Sequence, residues 1–92
     1  MIHEELDYLL SLGPQRPLTR ARFRVLRQFH LFQQRNGYAP SIRELARQLN
    51  FTSHSSAQAH LSNLSRDGYM RRRREGPRGW ILTRKAREIL AS

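Results

Sequence analysis

The chain has 92 residues with 38% hydrophobic content, enough for one small core and too little for two. Its 17 Lys and Arg against 7 Asp and Glu give a net charge of +10 and a pI near 11.7, the balance of a protein whose partner is a polyanion. The absence of cysteine excludes a disulfide frame and a thiolate metal site, and no apolar run approaches the roughly 20 residues of a membrane helix. A domain of this size leaves little room for an enclosed catalytic cavity beside its core, so binding is favoured over catalysis. The acidic start, Met1 to Glu5, is unlike the basic start of a secretory signal, and a cytoplasmic, nucleoid-associated protein with no membrane partner is expected.

Three of the acids, Glu4, Glu5 and Asp7, lie in the first seven residues, so residues 8–92 hold 17 cations against 4 acids, or +13. Sixteen of the cations are Arg and only Lys85 is Lys; the planar guanidinium fork suits phosphate and guanine. The densest cluster is Arg71, Arg72, Arg73 and Arg74, followed after a turn by Arg78.

In chain order, Ile2, Leu6, Leu9 and Leu10 recur at helical spacing and Gly13-Pro14 ends the pattern, which predicts a short amphipathic helix over 2–12. Thr19 is placed to cap a longer helix that runs to Gly37, with Val25, Leu26, Phe29 and Phe32 as its buried stripe. Phe23 and Leu31 fall outside that stripe, on opposite flanks. With Leu6, Leu9 and Leu10 they form a candidate dimer or partner surface, which the N-terminal helix could itself cover.

Ser41-Ile42-Arg43-Glu44 matches a capping box and opens a helix whose inner face is Ile42, Leu45, Ala46 and Leu49. Asn50 to Thr52 break the period, and Ser53 is placed to cap a third helix that buries Ala57, Leu61 and Leu64 and stops at Asp67-Gly68. Two short helices so close together form a helix-turn-helix. Tyr69 to Arg74, Glu75 to Arg78 and Gly79 to Thr83 read as strand, turn and strand, and residues 84–91 as a last helical turn or two. The expected fold is mainly α with a small β-hairpin: a winged helix-turn-helix in one domain over 1–92, with an extra N-terminal helix and a short C-terminal helical extension.

A helix entering the major groove must present side chains short enough for close approach yet able to hydrogen-bond base edges. Ser53, His54, Ser55, Ser56, Gln58, Ser62 and Asn63 meet that need, and no acid occurs between Glu44 and Asp67. An ordinary solvated polar face is the alternative. Ser41 and Arg43 at the start of the second helix, with Arg71, Arg72, Arg73, Arg74 and Arg78 in the wing, are candidates for the DNA backbone or minor groove. About two of the four consecutive arginines should point to each side of the strand. His54 and His60 lack the spacing and the carboxylate of a metal site, and His60 is expected half-buried. The cluster of Ser53, His54, Ser55 and Ser56 has no third group to orient a base, so no catalytic residue is assigned. Trp80 and Tyr38 are expected in the core, under the wing and at the helix junction, rather than stacked on unpaired bases.

Leu18-Thr19, Val25-Leu26, Phe29, Gly37 to Pro40, Arg43-Glu44-Leu45-Ala46, Leu49, Phe51, Ser53, Ala57, His60-Leu61, Leu64 and Gly68 resemble, without a gap, the winged helix-turn-helix DNA-binding domain of LexA repressors. The Arg78-Gly79 pair extends the resemblance, which covers residues 18 to about 83 and leaves 1–13 and 84–92 as additions. It implies operator binding, with the third helix in the major groove and base contacts at Ser53, Ser55, Ser56, Gln58 and Ala59. The family's Ser-Pro-Asn-Ala-Ala-Glu-Glu stands here as Ser53-His54-Ser55-Ser56-Ala57-Gln58-Ala59, so both acids are replaced and a different operator is implied.

The family's cleavable Ala-Gly bond and Ser/Lys dyad do not occur before Ser92, so self-cleavage is not expected, and dimerisation is either forgone or obtained through the N-terminal helix or on DNA. The expectation is a non-enzymatic, prokaryotic or phage-encoded regulator of transcription, a repressor, with double-stranded DNA as partner and no cofactor, metal or small molecule. A sequence-tolerant nucleoid or RNA-binding protein and a protein-interaction adaptor are the rival readings.

Overall fold

The computed structural model describes residues 18–91, and the predicted helix over 2–12 lies outside the described residues. The longest helix, α1 (Arg20–Asn36), starts where Thr19 Oγ1 accepts the Arg22 N–H at 3.1 Å. It stops at Gly37, whose φ of 80° is the left-handed turn that lets its N–H reach the Gln33 carbonyl at 2.8 Å. The expected capping box opens α2 (Ile42–Gln48): Glu44 N–H donates to Ser41 Oγ at 3.1 Å and Ser41 N–H to Glu44 Oε1 at 2.9 Å. Asn50 turns the chain at φ 58°, a conformation Asn tolerates better than most side chains, and α3 (His54–Arg66) follows. Ser53 occupies the N-cap of α3 as expected but makes no side-chain capping bond.

A hairpin closes the fold, with β1 (Met70–Arg72) antiparallel to β2 (Trp80–Leu82) and Met70, Arg71 and Arg72 opposite Leu82, Ile81 and Trp80. The strands are shorter than the predicted 69–74 and 79–83, but single bonds continue the ladder at each end. Thr83 N–H donates to Tyr69 C=O at 3.2 Å, and Arg73 N–H to Gly79 C=O at 2.8 Å. The C-terminal extension is the full helix α4 (Arg84–Ala91); Thr83 Oγ1 accepts the Ala86 N–H and donates to Gly68 C=O at 2.6 Å.

Val25, Leu26 and Phe29 of α1 meet Leu45 and Leu49, Leu61 and Leu64, Met70, Trp80 and Leu82, and Ala86 in one cluster drawn from every element. Phe32, expected in this stripe, is only half-buried and sets its ring edge-on against Tyr38 with centroids 5.8 Å apart. Tyr38 departs further from expectation: it is 49% exposed, because it follows the left-handed Gly37 and runs past the end of α1 instead of into the core. Phe23 and Leu31 do not lie on opposite flanks. Eight residues turn a helix through about 80° beyond two full turns, so both line one groove, with Leu90.

Asp67 ends α3, where a carboxylate opposes the helix dipole. Here it is tied down by Arg22 Nη1 at 3.1 Å, while its carbonyl accepts Lys85 Nζ at 3.0 Å. The C-terminus of α3 is thereby bolted to α1 and α4.

Candidate nucleic-acid interface

The polar residues of α3 segregate by face. Ala57, Leu61 and Leu64 are buried, whereas Ser53, His54, Ser55, Ser56, Gln58, Ala59 and Ser62 are exposed and Asn63 is half-buried. His60 is half-buried as expected, stacked on Phe51 of the turn with centroids 5.5 Å apart and an interplanar angle of 21°. That stack packs the preceding turn against the second turn of α3. His54 at the start of α3 shares a shallow cleft with Arg43 and Arg47 of α2 and Thr52 of the turn, which brings two guanidinium groups and a hydroxyl beside the start of α3.

Of the four consecutive arginines, Arg71, Arg73 and Arg74 line hollows that also include Gln33 of α1, and Arg72 lines neither. Arg71 and Arg73 line a basin with Ile81 and Leu82 that faces His30, Gln33 and Gln34 of α1. Arg72 stands 5.3 Å from the centroid of the buried Trp80 ring and donates to Gly76 C=O at 3.1 Å. Arg74 and Arg78 border a notch with Tyr38, Gly79 and Trp80. Trp80 lies under the wing as expected, only 8% exposed.

Arg78 plays a part that its sequence context did not announce. Its Nη1 donates to Glu44 Oε1 at 2.6 Å and to Ala39 C=O at 2.7 Å, and its guanidinium lies 4.5 Å from the Tyr38 ring centroid. One carboxylate thus closes the capping box of α2 and anchors the base of the wing. This clamp, with the Phe51–His60 stack, links wing, α2 and the start of α3 in a single arrangement. The pairing of Arg78 with Glu44 across 34 positions is long-range, and only the capping half was legible from local spacing.

The Arg78 hydrogen bond, followed by the Ser41 N–H, holds the Glu44 carboxyl down at about 2, well below its ordinary value of 4.5. The folded state therefore binds fewer protons than the unfolded chain in that window. The clamp's contribution is complete above about pH 4.5 and is lost as pH falls toward 2. Thermal unfolding followed from pH 6 to pH 2.5 should show this loss, and Glu44→Gln should start less stable and show a shallower acid decline. An equally steep decline in both proteins would place the acid sensitivity elsewhere.

Among the described residues no group of three His, Cys, Asp or Glu is gathered as a metal-ligand set, and no helix is long and apolar enough to cross a membrane.

Three packed helices closed by a β-hairpin, the third with an exposed polar face and the hairpin clamped to the second, define a winged helix-turn-helix protein. The chain belongs to the LexA DNA-binding domain family, whose profile, described as "LexA DNA binding domain", matches residues 15–79. It is 36% identical over 75 residues to the LexA repressor of Petrotoga mobilis, an alignment covering 82% of this chain and 36% of that protein. Against the LexA repressor of Thermotoga neapolitana it is 37% identical over 70 residues, covering 76% of this chain and 35% of the relative. LexA repressor 2 of Geobacter sulfurreducens is 42% identical over 53 residues, covering 58% of this chain and 26% of that protein. The chain thus spans about a third of the length of the first two relatives.

Proposed function

We propose that this chain is a non-catalytic, sequence-specific regulator of transcription, a repressor, that binds double-stranded DNA with α3 in the major groove and the wing along the backbone and minor groove. The observation that carries the reading is the one-sided exposure of Ser53, His54, Ser55, Ser56, Gln58 and Ala59 on a helix that has no acid along its length. Family membership supports it, since the relatives are named LexA repressors.

In this reading Gln58, with its paired amide donor and acceptor, is the discriminating contact, and the short serines and Ala59 permit close approach of the helix to base edges. Ser41, Arg43, Arg71, Arg72, Arg73 and Arg74 supply phosphate or minor-groove affinity. Arg78, engaged with Glu44 and Ala39, acts chiefly by holding the wing in place. One domain covers one half-site, and two domains on a two-half-site duplex would gain affinity from joint occupancy. Such a protein would reside in the cytoplasm, on the nucleoid.

Selection of bound duplexes from a random pool tests this directly: a preferred sequence should emerge and should outcompete random DNA. On that sequence Gln58→Ala should cost about 1–3 kcal/mol and relax the preference, whereas Arg74→Ala should weaken all duplexes alike and lower the salt slope by about one. Equal losses on every duplex for both variants would overturn readout by α3. Equal affinity of the unaltered protein for random duplex or single strands would favour a sequence-tolerant binder, and the absence of salt-dependent binding would favour an adaptor.

A further inference from the structure

Among the described residues Tyr38 is the one large hydrophobic side chain left exposed, and its surroundings are cationic. It borders a notch of about 390 Å³ beside the wing turn, together with Arg73, Arg74, Arg78 and Trp80. Two distant segments fix the ring: Phe32 of α1 meets it edge-on with centroids 5.8 Å apart, and the Arg78 guanidinium lies 4.5 Å from its centroid. Arg78 is itself held by Glu44 and the Ala39 carbonyl, so the position of the ring is set by the same clamp that anchors the wing. A guanidinium over the ring competes with a stacked base, so what Tyr38 offers a polyanion is its hydroxyl.

The charge of the notch comes from Arg73 and Arg74. Glu44 is engaged by Arg78 and Glu75 by Arg72, whereas Arg73 and Arg74 are exposed and form no ion pair among the described residues. An exposed hydroxyl on a fixed ring beside two such guanidinium groups suits a tetrahedral phosphate, which accepts from both kinds of donor. Resting on the DNA-binding reading above, we propose that Tyr38 and Arg74 hold one backbone phosphate of the duplex in this notch. The Tyr38 hydroxyl donates a hydrogen bond to it, and Arg74, with Arg73 beside it, supplies the charge. Such a contact reads no base. It fixes where the wing sits on the strand and, through the Arg78–Glu44 clamp, where α2 sits with it.

Tyr38→Phe keeps the ring against Phe32 and Arg78 and removes only the hydroxyl. Affinity for selected and random duplex alike should fall about three- to tenfold, the worth of one polar hydrogen bond. The thermal midpoint should stay the same, and so should the salt slope, because a neutral donor displaces no counterion. Duplexes of the selected sequence, each with a single phosphate replaced by uncharged methylphosphonate, locate the contact. At one position the losses from the replacement and from Tyr38→Phe should fail to add, and Arg74→Ala should be non-additive at that same position. Unchanged affinity of Tyr38→Phe, a loss that tracks a lowered thermal midpoint, additive losses at every position, or non-additivity of the two variants at different positions each overturns the shared phosphate. Absence of duplex binding by the unaltered protein overturns the DNA reading instead.

Discussion

Phe29→Ala is expected to destabilise the domain by about 3–5 kcal/mol, the usual range for removing a buried aromatic ring. Phe29 is 1% exposed and lies in the cluster where all three helices, the hairpin and α4 converge, so its loss leaves a cavity that no single element can close. Single domains have about 5–15 kcal/mol to lose, and a 92-residue chain without disulfides has little reserve. Each kcal/mol lowers the midpoint of a domain this size by about 4–8 °C. Thermal and urea unfolding should therefore show a midpoint at least about 12 °C lower, with duplex affinity falling in step with the folded fraction for every sequence. A cost under about 1 kcal/mol would mean that α1 is not the centre of the core.

Gly79→Ala should strike the wing while sparing the helices. A Cβ at Gly79 would collide with the Arg74 carbonyl oxygen and stand 2.9 Å from the Arg74 carbonyl carbon, both backbone atoms, so no side-chain rotation relieves the clash. The turn over residues 75–78 must open, at the expense of the bond from Arg73 N–H to Gly79 C=O. The expected cost is about 1–3 kcal/mol, in the range of other overpacked sites. Because Arg74 and Arg78 flank that turn, the Arg78–Glu44 clamp should loosen with it. Duplex affinity should then fall for all sequences by at least as much as with Arg74→Ala, while the preferred sequence stays the same. Unchanged unfolding and unchanged affinity would show that the wing tolerates a wider turn.

The helix boundaries were legible because local chemistry sets them. Thr19, Gly37, Ser41 with Glu44, and Asp67-Gly68 each act on backbone groups within four residues, and spacing alone exposes such effects. The family resemblance rested on the same spaced residues and agrees with the match over 15–79. Ser53 was legible only in part: its position was right, but no capping bond forms. The strand ends were overestimated because β propensity continues past Arg72 and Leu82 while the close approach of Gly79 to Arg74 turns the ribbon.

By itself the sequence determined the order of helices and hairpin, the inner stripe of α3 and the face left polar, because periodicity and caps are properties of neighbouring residues. Only the tertiary structure decided that Arg78 serves Glu44 and Ala39, that Tyr38 lies outside the core, and that Leu90 of α4 joins the groove beside Phe23 and Leu31. Each of these depends on which distant segment arrives within about 3–5 Å, and that distance is set by the packing of all the elements together.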